Sequence, residues 1–202
     1  MTAGAVLTAA AALAGGYAVG SVSPAALIAR ARGIDLRSAG SGNPGATNAG
    51  RVMGRSVGYL VGGLDVLKGA LPTVVALWFW GTVPALLAGL GAVLGHVTSP
   101  WLKGRGGKGV ATSFGAVLGV APVWGLIAVG VFLVVFALSR WVALSSMAAS
   151  VTLVVLAVLG VVRGSDPDAV AYLLWAVAMA TVVIGRHRSN VVTRWRERHQ
   201  TG

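Results

Sequence analysis

The chain of 202 residues carries 16 Lys and Arg against five Asp and Glu, a formal net charge of +11. It is 56% hydrophobic and only 10% charged, with a mean hydropathy of +0.82. Since soluble domains carry about 25% charged residues, the composition indicates one integral membrane domain over residues 1–202. The absence of cysteine excludes disulfides and thiolate chemistry, and the scarcity of acids disfavours sites built from several carboxylates.

Seven apolar segments are predicted to form membrane-spanning helices. A span needs about 20 apolar residues, within a range of about 17 to 25. The segments are 3–29, 56–80, 83–98, 108–122, 123–139, 141–162 and 168–185. The fourth and fifth are separated only at Pro122, which is expected to break the helix. The first segment has no basic residue before it, so it is interpreted as a retained span and not as a secretory signal.

The basic residues predict how these spans are oriented. With the N-terminus outside, the inner loops are 30–55, 99–108, 139–141 and 186–202, which hold 14 of the 16 Lys and Arg residues. Cytoplasmic loops are enriched in positive charge, so seven spans with a cytoplasmic C-terminus are favoured. Six spans, with 108–139 fused into one, would leave the C-terminal arginines outside. The polar loops are therefore predicted to share the cytoplasmic face.

The first inner loop contains the run GSGNPGATNAGR at 40–51. Glycines permit positive φ and the close approach of a ligand, and successive backbone N–H groups in such a loop can bind an anion. Arg51 offers a planar, bidentate partner for phosphate. A flexible linker would explain the glycines and the arginine, but not Asn43, Thr47 and Asn48 in one run. A binding loop is therefore favoured.

The second inner loop lies within GHVTSPWLKGRGGKGVAT at 95–112 and leads into the fourth apolar segment. Backbone N–H groups at a helix N-terminus, with Lys108 beside them, would form a phosphate site; the alternative is a linker with inward positive charge. The run is not a Walker A motif, because Lys108 is followed by Gly109 and not by Ser or Thr. His96 is either a satisfied buried histidine or part of the site.

A third stretch, RHRSNVVTRW at 186–195, follows the last span. His187 and Asn190 are three residues apart and share a helix face, and a neutral histidine can act as a base or bind a hydroxyl. The alternative is an interfacial anchor, with Trp195 and the arginines at the lipid headgroups.

Asp65 and Lys68 stand at i, i+3 within the second apolar span, where ionisable groups are costly. The two residues either pair with each other on one helix face or have a functional role.

Together, these motifs resemble those of the bacterial acyl-phosphate:glycerol-3-phosphate acyltransferases of the PlsY type. GSGNPGATNAGR, GHVTSPWLKGRGGKGVAT and HRSNVVTR are each similar to one of that family's three cytoplasmic motifs, and DVLKG at 65–69 is similar to a further family stretch. The resemblance covers nearly the whole chain. Two departures stand out: Gly104 replaces the usual aromatic residue of the second motif, and the third motif continues into TRWRER instead of its usual short apolar–Gly ending.

The resemblance implies an all-α integral membrane protein of seven helices in the bacterial cytoplasmic (inner) membrane, with the active site facing the cytoplasm. It implies transfer of a fatty acyl group from acyl phosphate to the 1-hydroxyl of glycerol 3-phosphate, which gives lysophosphatidic acid and phosphate and begins phospholipid biosynthesis. Besides the two substrates and membrane lipids, it implies no cofactor, metal or obligate protein partner. The catalytic candidates are Ser41, Lys108, His187 and Asn190, and the substrate-binding candidates are Asn43, Gly45, Thr47, Asn48, Arg51, His96, Gly106 and Gly107.

The expected mechanism is direct attack of the glycerol 3-phosphate hydroxyl on the acyl carbonyl. Lys108 or Arg51 would hold the leaving phosphate, and Ser41 is a candidate donor to the tetrahedral intermediate. The base is either His187 or a phosphate oxygen of the substrate, and the second is favoured.

Other functions fit less well. Nucleic acid binding is disfavoured because aromatic residues are not interleaved with the basic ones. An anion transporter would need its polar groups near the midplane, whereas here they are predicted to gather on the cytoplasmic face. A CDP-alcohol phosphatidyltransferase would need a cluster of metal-binding aspartates, which five scattered acidic residues do not provide. A non-enzymatic scaffold would leave the glycine-rich loops unexplained.

Overall fold

The computed structural model describes residues 2–164 and 166–199, with side chains to Arg196. Within these ranges the chain forms nine α-helices, one short 3₁₀ helix at Pro100–Leu102 and no strand, which confirms the all-α prediction. The α-helices are α1 Ala3–Ser21, α2 Pro24–Ala31, α3 Ala46–Met53, α4 Arg55–Trp80, α5 Thr82–Val97, α6 Val110–Val120, α7 Pro122–Ser139, α8 Val142–Arg163 and α9 Ala169–His199.

Six helical stretches in the described ranges are long and apolar enough to cross a membrane, in agreement with the predicted membrane class. They are Ala3–Ala31, Arg55–Trp80, Thr82–Leu102, Pro122–Ser139, Val142–Arg163 and Ala169–Arg196. The predicted segment 108–122 forms only the 11-residue α6. At about 1.5 Å per residue, α6 is about half as long as the hydrocarbon core of a bilayer is thick.

The structure corrects three predicted boundaries. The segment 3–29 is two helices, because Pro24 lacks an N–H group and the Ser23 hydroxyl caps α2 by accepting from the Ala26 N–H at 3.3 Å. The loop 30–55 contains the end of α2 and all of α3. The predicted C-terminal loop 186–202 continues α9 as far as His199, and its residues 200–202 lie outside the described ranges.

The backbone falls into two compact units, which divide between Pro122 and Val123. In the first unit, α1 and α5 pack through small residues. A Cβ added at Gly16 or Gly20 would overlap the Ala88 or Ala92 carbonyl, and one at Gly91 would overlap the Leu13 carbonyl. Small residues four apart let helix backbones approach closely in a membrane, where van der Waals contact drives association.

Helices α4 and α6 of the same unit meet in the same way. A Cβ at Gly69 would overlap the Thr112 carbonyl, and one at Gly115 would overlap the Val66 carbonyl. The Thr112 end of α6 follows the second glycine-rich loop, and Gly69 follows the Asp65–Lys68 pair on α4. The close packing therefore brings the beginning of α6 to the part of α4 that carries its buried charges.

In the second unit, α8 packs against α9. Helix α9 buries Trp175, Met179, Val183 and His187, which follow one another at intervals of four residues and so lie along one face of the helix. His187 continues this apolar stripe, and its burial follows from its position on the inner face.

Candidate active site

Asn48 organises the first loop. Its side chain is 1% exposed, and its Oδ1 accepts from the Ser41 N–H at 2.7 Å. Its Nδ2 donates to the Ala39 carbonyl at 3.1 Å and to the Leu36 carbonyl at 3.4 Å. The amide of Asn48 therefore holds the loop against the beginning of α3. This contact supports a positioning role for a residue that the motif had suggested for substrate binding.

The remaining polar residues of the first motif lie around this anchor. Ser41, Thr47 and Arg51 are exposed, whereas Asn43 is half-buried. Gly45 is buried at the N-cap of α3, where no side chain caps the helix, and a Cβ there would come within 2.8 Å of the Asn43 Nδ2 atom. The loop thus presents two hydroxyls and a guanidinium outwards from a buried amide anchor.

The second loop folds back onto the end of α5. The Gly106 N–H donates to the Val97 carbonyl at 3.1 Å, and the Gly107 N–H donates to the His96 carbonyl at 3.2 Å. A Cβ at Gly106 would overlap the His96 carbonyl, and one at Gly107 would overlap the His96 ring at Nε2. These glycines therefore allow the loop to lie directly on His96, and their N–H groups are used within the protein.

The loop ends at the N-terminus of α6. Gly109 is the N-cap, with a φ of 84° that favours glycine, and Lys108 before it is half-buried. In the first turn of the helix, the hydroxyl oxygens of Thr112 and Ser113 are buried with no hydrogen-bond partner among the described residues. The beginning of a helix also carries backbone N–H groups that lack intrahelical acceptors. This helix end, with its adjacent cation, can therefore accommodate an anion.

The buried charges of α4, whose role the sequence left open, form an ion pair. Lys68 Nζ lies 2.9 Å from Asp65 Oδ1, so self-pairing is confirmed. His96 Nδ1 of α5 also lies 3.5 Å from the same oxygen. Lys68 donates in addition to the Val22 carbonyl at 2.8 Å. Sequence reasoning did not find this last contact, because it joins residues 46 positions apart.

A cavity of about 380 Å³ lies beside the first loop. It is lined by Arg30 of α2, by Asp35, Arg37 and Pro44 of the first loop, and by Leu102, among others. Since Leu102 belongs to the stretch before the second glycine loop, the first and second motifs border a common space that carries two arginines.

The third motif lies in the second unit, on α9. His187 is 1% exposed, and its Nδ1 is 2.8 Å from the Val183 carbonyl. A carbonyl only accepts hydrogen bonds, so Nδ1 carries the proton and Nε2 is the acceptor in the neutral ring. Asn190 is half-buried one turn further along the helix. Arg194 lies 4.7 Å from the centre of the Trp141 ring, a cation–π contact within this unit.

The structure thus gathers most of the predicted site residues in the first unit. Within that unit, hydrogen bonds join Ser41 to Asn48, Gly107 to His96, and Gly106 to Val97 beside His96. Sequence reasoning missed Ser21 and Ser99, whose contact links the end of α1 to the second loop through a hydrogen bond of 2.6 Å from Ser99 Oγ to the Ser21 carbonyl. The proline after Ser23 was the signal that the α1 carbonyls would need outside donors.

Comparison with known proteins places this arrangement in a family. The model for the family described as glycerol-3-phosphate acyltransferase matches residues 10–197. Relatives named glycerol-3-phosphate acyltransferase include one from Myxococcus xanthus, 42% identical over 88% of this chain and 91% of its own. Another, from Thermoanaerobacter sp., is 38% identical over 87% of this chain and 86% of its own.

Two solved structures share the fold. They are crystal structures of PlsY, an integral membrane glycerol 3-phosphate acyltransferase, in a glycerol 3-phosphate form and in a lysophosphatidic acid form. The first is 34% identical with a TM-score of 0.83 and covers 96% of this chain and 94% of its own. The second is also 34% identical, with a TM-score of 0.82. Since sequence family, relatives and fold agree over nearly the whole chain, the protein belongs to the PlsY-type family of integral membrane glycerol-3-phosphate acyltransferases.

Proposed function

We propose that the protein transfers a fatty acyl group from acyl phosphate to the sn-1 hydroxyl of glycerol 3-phosphate. The oxygen of the hydroxyl forms the new ester bond, the bond from acyl carbon to phosphate oxygen breaks, and inorganic phosphate leaves with lysophosphatidic acid as the other product. The two solved PlsY structures are a glycerol 3-phosphate form and a lysophosphatidic acid form. They support glycerol 3-phosphate as the acyl acceptor and lysophosphatidic acid as the product. Acyl phosphate is already activated, so the reaction requires no cofactor and no covalent enzyme intermediate.

The observation that carries the proposal is the end of the second loop. There Lys108 directly precedes the N-terminus of α6, and two buried hydroxyls lie in the first turn of that helix. A phosphate at this point would meet backbone N–H groups, the positive end of the helix dipole and an ammonium group. Because the N–H groups of Gly106 and Gly107 already donate to α5 carbonyls, we assign the phosphate to Lys108 and the first turn of α6.

The first loop supplies the second group of contacts. Ser41 and Arg51 are exposed beside a loop that Asn48 fixes. The two substrates each carry a phosphate group. In this mechanism one binds at Lys108 and α6, and Arg51 binds the other in a bidentate manner. Ser41 donates to the oxygen that becomes negative in the tetrahedral intermediate. Donors fixed before the reaction stabilise this charge most, because they need no reorganisation when it forms.

For the proton of the attacking hydroxyl, we propose that a phosphate oxygen of glycerol 3-phosphate is the acceptor. A phosphate monoester has a second pKa of about 6, so the dianion is available at neutral pH. His187 has its Nδ1 held by Val183 and its ring buried, which suits a group that orients the acceptor, with Asn190 beside it. If His187→Ala abolished turnover at saturating glycerol 3-phosphate, His187 would instead be the essential base.

The same proposal includes the orientation of the chain. We propose seven crossings of the bacterial inner membrane, six by the long helical stretches and the fourth by the short α6. The N-terminus lies outside and the site opens to the cytoplasm, because this topology leaves 14 of 16 basic residues inside. The chain has no cysteine, so single cysteines can be labelled without background. With a thiol reagent that cannot cross the membrane, cysteines that replace Ser38 and Ser139 should react only after the membrane is made permeable. A cysteine that replaces Asp166 should react in intact cells. An externally reactive cysteine at Ser139 would refute seven crossings.

Acyl transfer is tested by phosphate release from palmitoyl phosphate, with and without glycerol 3-phosphate and with palmitoyl-CoA as a competing donor. Release should depend on glycerol 3-phosphate and should be matched by lysophosphatidic acid. Lys108→Met should lower kcat/KM by about 100-fold, as for the loss of a fixed charge-stabilising donor. The control is Lys103→Met, which removes an exposed lysine of the same loop. A folded protein that used neither donor would refute the proposal and favour anion transport, which liposome uptake would detect.

A further inference from the structure

Three ionisable side chains of the first unit are buried together, whereas Ser41 and Arg51 are exposed. Asp65, Lys68 and His96 are 3%, 7% and 7% exposed. Asp65 Oδ1 lies 2.9 Å from Lys68 Nζ and 3.5 Å from His96 Nδ1. Burying such groups in a membrane protein is costly, and they are usually paired for a functional reason. The acyl-transfer mechanism as proposed above uses none of the three as an acid or base.

One end of this cluster closes the break between α1 and α2. In a continuous helix the Val22 carbonyl would accept from the Ala26 N–H, but that N–H donates to the Ser23 hydroxyl instead. Lys68 supplies the missing donor at 2.8 Å. An unsatisfied carbonyl at membrane depth costs several kcal/mol, so this contact explains why the ammonium group lies there. Asp65 then compensates for the charge of Lys68.

The other end of the cluster supports the second glycine loop. His96 contacts Asp65 through Nδ1, and its Nε2 edge lies against Gly107, where even a Cβ would overlap the ring. The backbone of the loop is bonded to the carbonyls of His96 and Val97. The ring can turn about the Cβ–Cγ bond, and a carboxylate 3.5 Å from Nδ1 favours the rotation and the tautomer that place an N–H towards it. Asp65 therefore acts on the orientation of the ring against which Gly107 lies.

We propose that Asp65, Lys68 and His96 are positioning residues that hold the loop 104–109 in the place from which Lys108 and the first turn of α6 bind phosphate. Lys68 joins Asp65 to the α1–α2 break, Asp65 orients His96, and the His96 ring supports Gly107. The plain alternative is a buried ion pair that holds α4 to its neighbours and has no particular effect on the loop. The expected effect on turnover rests on the proposed acyl transfer. The order of the loop does not, because it can be measured without any substrate.

Two double variants distinguish the positioning role from a buried ion pair that has no effect on the loop. Asp65→Leu with Lys68→Met removes both charges and the partner of His96. Asp65→Asn with Lys68→Met removes the same charges but keeps an oxygen that can accept from His96 Nδ1. Removing a buried pair together avoids leaving one charge unpaired, which is the strongly destabilising change. The control is Thr73→Val, which removes a buried hydroxyl of the same helix that donates to the Gly69 carbonyl.

The first readout is hydrogen exchange of the peptide that covers 104–109, in detergent and without substrate. We expect exchange to become at least about tenfold faster in the leucine–methionine variant, which corresponds to about 1.4 kcal/mol of lost local stability. The asparagine–methionine variant should lie between that variant and wild type, because it keeps an oxygen facing His96 Nδ1 but loses the Lys68 contact to the Val22 carbonyl. Thr73→Val should remain near wild type, and peptides from the middle of α5 should be unchanged in all three variants. Equal exchange of 104–109 in both double variants would overturn the positioning role.

The second readout is the dependence of turnover on glycerol 3-phosphate. The leucine–methionine variant should lose about 10- to 100-fold in kcat/KM, the effect expected when reacting groups are misplaced by about 1 Å. The asparagine–methionine variant should recover only part of that loss, because it restores the oxygen that faces His96 but not the Lys68 contact to the Val22 carbonyl. Should the leucine–methionine protein not fold, His96→Gln decides the matter, because it leaves the ion pair and removes the ring. Normal exchange and kinetics in His96→Gln would overturn the proposal. Inactive wild type would refute acyl transfer alone, since the exchange result would still test the loop.

Discussion

Replacing Asn48 with alanine should release the first loop without unfolding the protein. The substitution removes the three hydrogen bonds from the Asn48 side chain to Ser41, Ala39 and Leu36. Each such bond contributes about 0.5–1.5 kcal/mol net, and the 3.4 Å bond to Leu36 contributes least. The loop should therefore lose about 2–3 kcal/mol of local stability. The backbone of Ser41 and Ala39 can reach water once the loop opens, so the loss should stay local.

Trypsin cleavage after Arg37, which is exposed within this loop, measures the opening directly. With about 1.4 kcal/mol for each factor of ten, the opened population should rise by about 30- to 140-fold. The cleavage rate should rise in proportion while opening remains faster than cleavage. The matched control is Ser38→Ala, which removes one exposed hydrogen bond to the Asp35 carbonyl of the same loop. Its cleavage rate should change less than tenfold.

Turnover of the two variants completes the test. Asn48→Ala should lower kcat as well as raise KM for glycerol 3-phosphate, because Ser41 loses the partner that fixes its backbone and a donor that must reorganise stabilises the transition state less. Equal cleavage rates in Asn48→Ala and Ser38→Ala would refute the anchoring role. Normal cleavage with a raised KM would instead indicate that Asn48 contacts substrate.

Further predictions concern the glycines that allow close contact. Gly107→Ala should reduce activity by about 100-fold, since its Cβ would displace the loop from the His96 ring, whereas Gly63→Ala, which meets no neighbouring atom on α4, should leave kinetics unchanged. Equal activity of the two variants would contradict this reading. Gly91→Ala should lower the thermal stability of the purified protein by several degrees or prevent its accumulation, because its Cβ would overlap the Leu13 carbonyl. A thermal unfolding midpoint equal to that of Gly63→Ala would show that α1 and α5 can separate at little cost.

Much of the architecture was predictable from the sequence because it depends on local composition. Apolar runs of about 20 residues favour helices in a bilayer, where backbone groups must bond within their own segment. Glycine-rich motifs marked the first two site loops by residue type alone. Helix α3 was not predicted, because its polar sequence was interpreted as loop, and 186–202 was assigned to a cytoplasmic loop although His187 and Asn190 were expected to share a helix face. Side-chain polarity gives the depth of a segment in the membrane but does not decide whether its backbone is helical.

Tertiary structure decided which groups serve the ligand and which serve the protein. The sequence by itself determined the all-helical membrane class, the basic loops and the family motifs, since each is a property of short stretches. It could not show that the amide of Asn48 is used by its own loop, or that the N–H groups of Gly106 and Gly107 are bonded to α5. Nor could it join Lys68 to Val22 and Asp65 to His96. Hydrogen bonds and ion pairs act over about 3–4 Å, and only the packing of helices distant in sequence brings such groups within that range.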